Sequence, residues 1–523
     1  VIVFRNGSVW GTGSTALAVS GGRIVALGEQ ALDLCATEVV DLAGGALLPA
    51  FGDAHAHPLF AGLESRGPRV TEQSTVDGIV AEVRRWALAN PGADWVVGAS
   101  YDPSLAANGE FDARWLDAAV PDRPVVLRSR DYHAVWCNTE ALRRAGVDSR
   151  TPDPRLGWIT RRADGSPLGT LLEWHACDLV LDLVPRTPLA DLVAALEHAG
   201  RRYAQVGVTW AQDAWVEPEL VAPYLEAVRR GVLGFRADLA QRADPDRWRA
   251  QRAEFAEQRE LVRRHGGGLV TARTVKFFAD GVIEGGTGAL LEPYVDAPHS
   301  HGMAVWPPEE LARAVTAFDA DGFQVHVHAI GDAAVRSALD AVAAARAANP
   351  AWDRRPVIAH VQLVHPADLP RFAELGVIAN FEAQWACRDA TMTELTIPRL
   401  GEQRAARQYP MGTLHRLGTR LSLGSDWPVS PPDPLLGIGT AVARDWLPAE
   451  RLDLTAALTA QTAGAAWQAG AEHEWGRLAV GHSADLVALD RDPTAVEACD
   501  LGTIRVTGTW LAGRRLPDAS TLD

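Results

Sequence analysis

The chain has 523 residues, 47% of them hydrophobic and 22% charged, which supplies a large core and exceeds the length of one compact domain. A formal net charge of −16 repels phosphate backbones and anionic headgroups, arguing against nucleic-acid or membrane partners and for a small-molecule one. No apolar run reaches a membrane span, the first residues lack the marks of a signal peptide, and five scattered cysteines without a CxxC read as free thiols; the expected setting is cytoplasmic, with homo-oligomerisation left open.

In chain order, the first segment alternates apolar and polar residues between glycine-rich turns (VIVFRNGSVW, ALAVSGGRIVALG), the pattern of short strands. The far end repeats it in GRLAVGHSADLVALD and IRVTGTWLAGRRL, so residues 1–48 plus 476–523 are expected to form one small β-sandwich domain. Between them lie eight apolar β-runs: ALLPAFGDAHAH, VGVTWAQDA, FRADLA, ARTVKFFADG, QVHVHAIGD, PVIAHVQ, GVIANFEAQW and LSLGSDWPV. Amphipathic segments such as PEELARAVTAFDADG separate several of them. Eight β-runs alternating with helices fit a (β/α)8 barrel over residues 49–64 plus 186–475. A doubly wound open sheet is the rival, but no GxGxxG follows the first run. About 150 residues separate the first β-run from the second, far beyond a βα connection. Residues 65–185 are therefore expected to be an inserted α+β subdomain.

The chemistry concentrates at the ends of these runs. His55 and His57 stand two apart in FGDAHAHP and project from one face of a strand. Two neutral imidazoles on one face suit a borderline cation such as zinc, although a pair of hydrogen-bonded histidines fits equally well. Lys276 lies inside the apolar stretch TVKFFADG, where an ammonium is costly. Either it pairs with Asp280, or it is deprotonated and reacts with CO2 to give a carbamate able to bridge two metals. The fifth run holds both His326 and His328; His328 is nearer the C-terminal end, where barrel active sites sit, and His326 is expected to support from a deeper layer. Asp332 suits a helix N-cap. His360 ends the sixth run. Asp426 follows the eighth, where a carboxylate can ligate a metal and accept the proton of bound water.

This order of residues, with the segments KFFADG, HAIGDAAV, AHVQLVHPADLPRFAELGV and LGSDWPV, resembles the amidohydrolase superfamily, in its YtcJ-like branch, which includes N-substituted formamide deformylases. Segments of the insertion (DAAVPDRPVVL, DYHAVWCN, DGSPLG) extend the resemblance over nearly the whole chain. Two places depart from the branch: Tyr132 stands where a glycine usually precedes the insertion's histidine, and the turn after KFFADG reads VIEGGTG. The resemblance implies one or two divalent cations, zinc by donor type. His55 and His57 would hold one, His328 and His360 the other, with carbamylated Lys276 between them. Asp426 would act as general base and then acid, and His133 as an oxyanion or substrate contact or a structural histidine. Trp136, Trp385, Trp427, Phe60 and Tyr101 flank the motifs and either line an aromatic pocket or pack the barrel rim. Glu284 could bind a cationic group or face water. The expected function is metal-dependent hydrolysis of a C–N bond in an amide or N-substituted formamide. The alternatives are a cyclic amidine deaminase, a cyclic amide or lactone hydrolase, or a non-catalytic regulatory protein on the same barrel.

Overall fold

All eight apolar runs fold as neighbouring parallel strands of one sheet: β1 Phe51–Ala56, β2 Val208–Val216, β3 Arg236–Arg242, β4 Val270–Phe278, β5 Gln324–Ala329, β6 Val357–His360, β7 Ile378–Phe381 and β8 Arg420–Leu423. The structure is a computed structural model that describes residues 1–517; residues 518–523, the end of the segment assigned above to the terminal β-domain, lie outside the described residues. Every residue of β1, β5, β6 and β7 is buried, as expected of parallel strands covered on both faces. Helices such as Val221–Arg230, Trp248–His265, Pro308–Ala320 and Asp332–Ala348 fill the connections and bury their apolar stripes against the strands. Asp332 is the first helical residue and not the cap, which is Gly331; its Oδ1 instead accepts from Leu291 N at 2.9 Å.

The sheet curls until its ends meet. Asp426 N donates to His55 O at 2.7 Å, and His57 N donates to Trp427 O at 2.7 Å. Gly424 permits the approach, because a Cβ there would lie 2.7 Å from His55 N and 2.9 Å from His55 O. Strand register then sorts the polar interior into layers. Lys276 is level with His326, Phe278 with His328, and Ala329 with His360.

Both termini contribute to the flanking β-layers. One sheet orders Arg23–Leu27, Leu17–Ser20, Ile2–Arg5 and Glu38–Asp41; the other orders Ser8–Val9, Ala46–Pro49, Leu486–Leu489, Val506–Leu511 and Arg514–Arg515. Their inner faces meet through Phe4, Leu17, Val19, Leu47, Leu486 and Trp510. Only Ala50 separates the strand Ala46–Pro49 from β1, so the sandwich feeds straight into the barrel. The long gap between β1 and β2 holds a separate five-stranded sheet, ordered Trp158–Arg161, Pro167–Leu172, Ala134–Cys137, Val125–Ser129, Val96–Tyr101. Distinct apolar clusters contain Val135 with Leu171 and Val125 with Trp136. Among the described residues no helix is long and apolar enough to cross a membrane.

Gly424→Ala tests the seam. The added methyl would lie within 2.9 Å of His55 N, Cβ and O, so we expect a loss of about 1–3 kcal/mol in denaturant unfolding, typical of overpacking. Unchanged stability would mean that the β1–β8 approach tolerates a side chain.

Candidate metal centre

Among the described residues, His55, His360 and Asp426 are buried and bring one ligand atom each to within 4.8 Å of one another. His57 joins them: its Nε2 lies 2.8 Å from Asp426 Oδ1, and its Nδ1 lies 3.8 Å from Asp213 Oδ1. Lys276 Nζ sits 3.2 Å from His55 Nε2 and 4.8 Å from the centre of the Phe278 ring. Burial pulls the lysine down to about 7, against the upward pull of Asp426, Glu382 and Asp213. Burial pulls His360 to about 3 as well, opposed by Asp426. In His57, burial also acts downward, but the flanking Asp213 and Asp426 carboxylates outweigh it and raise the imidazole.

Hydrogen bonds behind these groups fix which ring nitrogen carries the proton. Asp238 Oδ2 can only accept, so Gln212 turns its amide nitrogen there at 2.8 Å. Gln212 Oε1, which also accepts from Gln468 Nε2 at 2.6 Å, therefore faces His326 Nδ1 at 3.2 Å, making that nitrogen a donor. Burial holds His326 neutral, well below its usual range. Its Nε2 must then accept from His55 Nδ1, 2.8 Å away. The relay leaves a lone pair on His55 Nε2, pointing into the centre. Glu382 Oε2 plays the same part for His360, 2.7 Å from Nδ1, and His360 Nε2 is left with no partner among the described residues. Asp426 Oδ1 meets only His57 Nε2, at 2.8 Å, and His57 Nδ1 has only Asp213 Oδ1 near it, at 3.8 Å. Unpartnered buried acceptors are expensive. Their convergence, with a donor set of imidazole and carboxylate, fits a divalent cation of the zinc class.

His328 stands beside this group, its ring 4.5 Å from that of His360, but its Nε2 is 3.1 Å from Gly281 O. A carbonyl only accepts, so Nε2 carries the proton and Nδ1 holds the lone pair. His326 lies one layer deeper and contacts His55, the supporting position that the strand register requires.

Above the centre is a cavity of about 1100 Å³. The insertion forms its far wall through the turn that carries Tyr132 and His133. His133 Nδ1 is 2.9 Å from Glu173 Oε2, and its ring centre is 5.3 Å from that of His328. Burial alone would favour the neutral imidazole, but Glu173 reverses this and raises His133 to about 9, so it is a cation at neutral pH. With Nδ1–H held by Glu173, Nε2–H is the donor available to the cavity. Glu173 also accepts from the Thr287 hydroxyl, which ties the insertion to the loop after β4. Tyr132 (φ 64°), Glu173 (φ 66°), His360 (φ 73°) and Asp426 (φ 53°) all occupy the left-handed region, each at a cost of about 1–3 kcal/mol for a non-glycine residue. Tyr132 is held there by its hydroxyl on Glu64 and its stack on Phe60.

The structure thus brings His55, His57, Lys276, His328, His360, Asp426 and His133 to one place, together with Trp385, Trp427 and Glu284 on the cavity wall. Trp385 stacks on His360 with an interplanar angle of 4°. Trp136 is a correction. It is fully buried in the insertion against Tyr101, Phe111 and Trp115 and does not line the cavity. Strand alternation explains this, since Trp136 falls on the opposite face from Val135 and Cys137. Tyr101 shares that core. Residue-by-residue reading of the sequence misses Asp213, Glu382 and Glu173. The first two end β-runs just as the histidines do, which is a usable signal. Glu173 meets His133 across 40 residues of the insertion, and local sequence carries no sign of it. Trp215, edge-on to His57, is missed as well.

A model of the amidohydrolase family matches residues 38–517. YtcJ of Bacillus subtilis, which carries an amidohydrolase name, is 29% identical over 91% of this chain and 90% of its own. The N-substituted formamide deformylase of Arthrobacter pascens is 27% identical over 95% of this chain and 94% of its own. Among solved structures, an uncharacterized metal-dependent hydrolase from Pyrococcus furiosus superposes with a TM-score of 0.72 at 25% identity, covering 94% of this chain and 99% of the other.

His326→Leu removes the acceptor that fixes the His55 tautomer. We expect metal affinity to fall about 10–100-fold, the usual effect of losing a group that orients a ligand, measured by titrating metal into apoprotein whose thermal unfolding shows a retained fold. Wild-type affinity in this variant would remove the relay from the account.

Proposed function

The chain belongs to the amidohydrolase family, and we propose that it hydrolyses the C–N bond of an amide, specifically an N-substituted formamide, with zinc in the centre and Lys276 as a carbamate. The reading is carried by one observation: the unpartnered Nε2 of His360 and the Asp426 carboxylate converge with His55 in a buried cluster, and His133 faces the cavity above them. His55, His57, His328, His360 and Lys276 would hold one or two cations. Such an ion supplies Lewis acidity and a water deprotonated near neutral pH. The near-neutral amine of Lys276 supports its carbamylation, because only an uncharged amine attacks CO2 and only the resulting anion suits a cation's side. The similarity to an N-substituted formamide deformylase supports the choice of bond.

The chain's own residues supply the remaining steps. Asp426, at the seam beside His57, accepts a proton from the attacking water and delivers it to the departing nitrogen, general base then general acid. His133 donates its Nε2–H to the carbonyl oxygen as negative charge develops there, with Glu173 keeping it charged and oriented. Trp385, Trp427 and Trp215, the last backed by Phe60, offer an apolar wall for the N-substituent.

The test is a panel of N-formyl, N-acyl and cyclic amides assayed on protein purified without chelator, with metal content measured in parallel. Formamide turnover that is lost on chelation and restored by zinc is expected. His133→Gln should keep its metal and lose about 10²–10³-fold in kcat, the effect of removing one oxyanion donor. Full activity in that variant would overturn its role, and metal-free protein as active as the native form would overturn the reading as a whole.

A further inference from the structure

One polar group of the cavity has no part in the chemistry above. Glu284 sits on the turn after β4, where Thr287 N donates to Val282 O at 2.9 Å and Gly286 N donates to Ile283 O at 2.8 Å. The Thr287 side chain accepts from Val282 N at 2.8 Å and bonds Glu173. The turn is therefore pinned from within and from the insertion, and the Glu284 carboxyl has a fixed place. It lines the same cavity as His57, His360 and Asp426. As a residue Glu284 is half-buried, but its Oε2 is sealed from solvent and has no hydrogen-bond partner among the described residues.

Among the described residues no ion pair involves its carboxyl. The ionisable groups acting on it are Asp131, His133 and Asp389. Two are acids, and the charge of His133 is already met by Glu173. Arginines on the cavity wall have other partners: Arg130 with Asp102 at 3.0 Å, Arg69 with Glu72 at 3.9 Å, and Arg202 with Gln205 at 3.0 Å. Burial, reinforced by Asp131, lifts the carboxyl to about 7. A desolvated acid among acids is unfavourable as it stands and becomes favourable when a cation arrives.

We propose that Glu284, with Asp131 and Asp389 around it, binds an alkylammonium group of the substrate, so that the natural substrate is a positively charged amide. The word substrate rests on the hydrolase reading above; the cation site does not. Mono-N-formyl diamines of graded chain length are compared with neutral N-alkylformamides of matched length. The wild-type protein is expected to favour the charged series by about tenfold or more in kcat/KM, equivalent to about 1.4 kcal/mol, at one optimal length. Glu284→Gln should erase that preference through KM. Glu284→Asp, which keeps the charge, should retain part of it with a shifted optimum. Binding of the parent diamines, followed by calorimetry, reads the cation site without turnover. Formamide hydrolysis with no charge preference, or a preference that survives in Glu284→Gln, overturns the proposal and leaves the hydrolase reading intact. Glu284-dependent diamine binding without hydrolysis of any formamide does the reverse.

Discussion

Two backbone hydrogen bonds across the seam between β1 and β8 hold the centre together. They join Asp426 to His55 and His57 to Trp427 at 2.7 Å each, and they exist because Gly424 brings no side chain to the contact. A barrel sheet must close on itself, and its first and last strands are then neighbours however far apart they are in sequence. Here closure places a carboxylate 370 residues downstream against the paired histidines. Every other feature of the site adjusts to that seam: the register of β4, β5 and β6 sets the height of Lys276, His328 and His360, and the insertion roofs what the seam and the register have assembled.

A barrel interior this polar requires compensation. His55, Lys276, His326, His360 and Glu382 are all essentially without exposure, and burial of this kind disfavours charge and punishes missing hydrogen bonds. The chain meets the requirement by routing protons outward. Asp238, Gln212 and His326 satisfy the back of His55, and Glu382 satisfies the back of His360. Some of the atoms left over gather at the centre. The ligand atoms of His55, His360 and Asp426 lie within 4.8 Å of one another, and His360 and Asp426 have left-handed backbone angles that disfavour a side chain. Strain and unsatisfied polarity at one place are costs that a bound ion can offset, whereas an ordinary core would eliminate both.

The barrel was legible because its strands are apolar on both faces, so the eight runs stood out without alternation, and because the ligand residues terminate those runs. Position alone marked His55, His57, His360 and Asp426 as candidates, and their roles came from the resemblance. His326 and His328 could be ranked by distance from the strand end, yet the orientation of His328 toward Gly281 depends on a loop whose shape no periodicity encodes. Trp136 was misread for a related reason: its closeness in sequence to His133 suggested the cavity, but the strand Ala134–Cys137 turns alternate residues to opposite faces, and Trp136 falls inward. Glu173 was invisible because it acts across the insertion's own sheet. Pairs that meet through a β-sheet leave no mark in a single sequence unless both partners end apolar runs.

The insertion is what separates this site from a bare metal centre. A (β/α)8 barrel brings polar residues together at its strand ends, and here the insertion supplies the wall that faces them. Here the roof and the barrel share one residue, Glu173, which holds His133 through one carboxylate oxygen and the Thr287 loop through the other. The charged donor and the turn bearing Glu284 therefore have positions that depend on a single carboxylate. Tyr132, adjacent to that donor, occupies a left-handed conformation that glycine would adopt freely, and it is kept there by Glu64 and Phe60. Tyr132 thereby adds an aromatic ring to the cavity wall beside the turn that presents His133. The cavity is therefore shaped from the roof inward, over residues that the barrel's closure has already brought together.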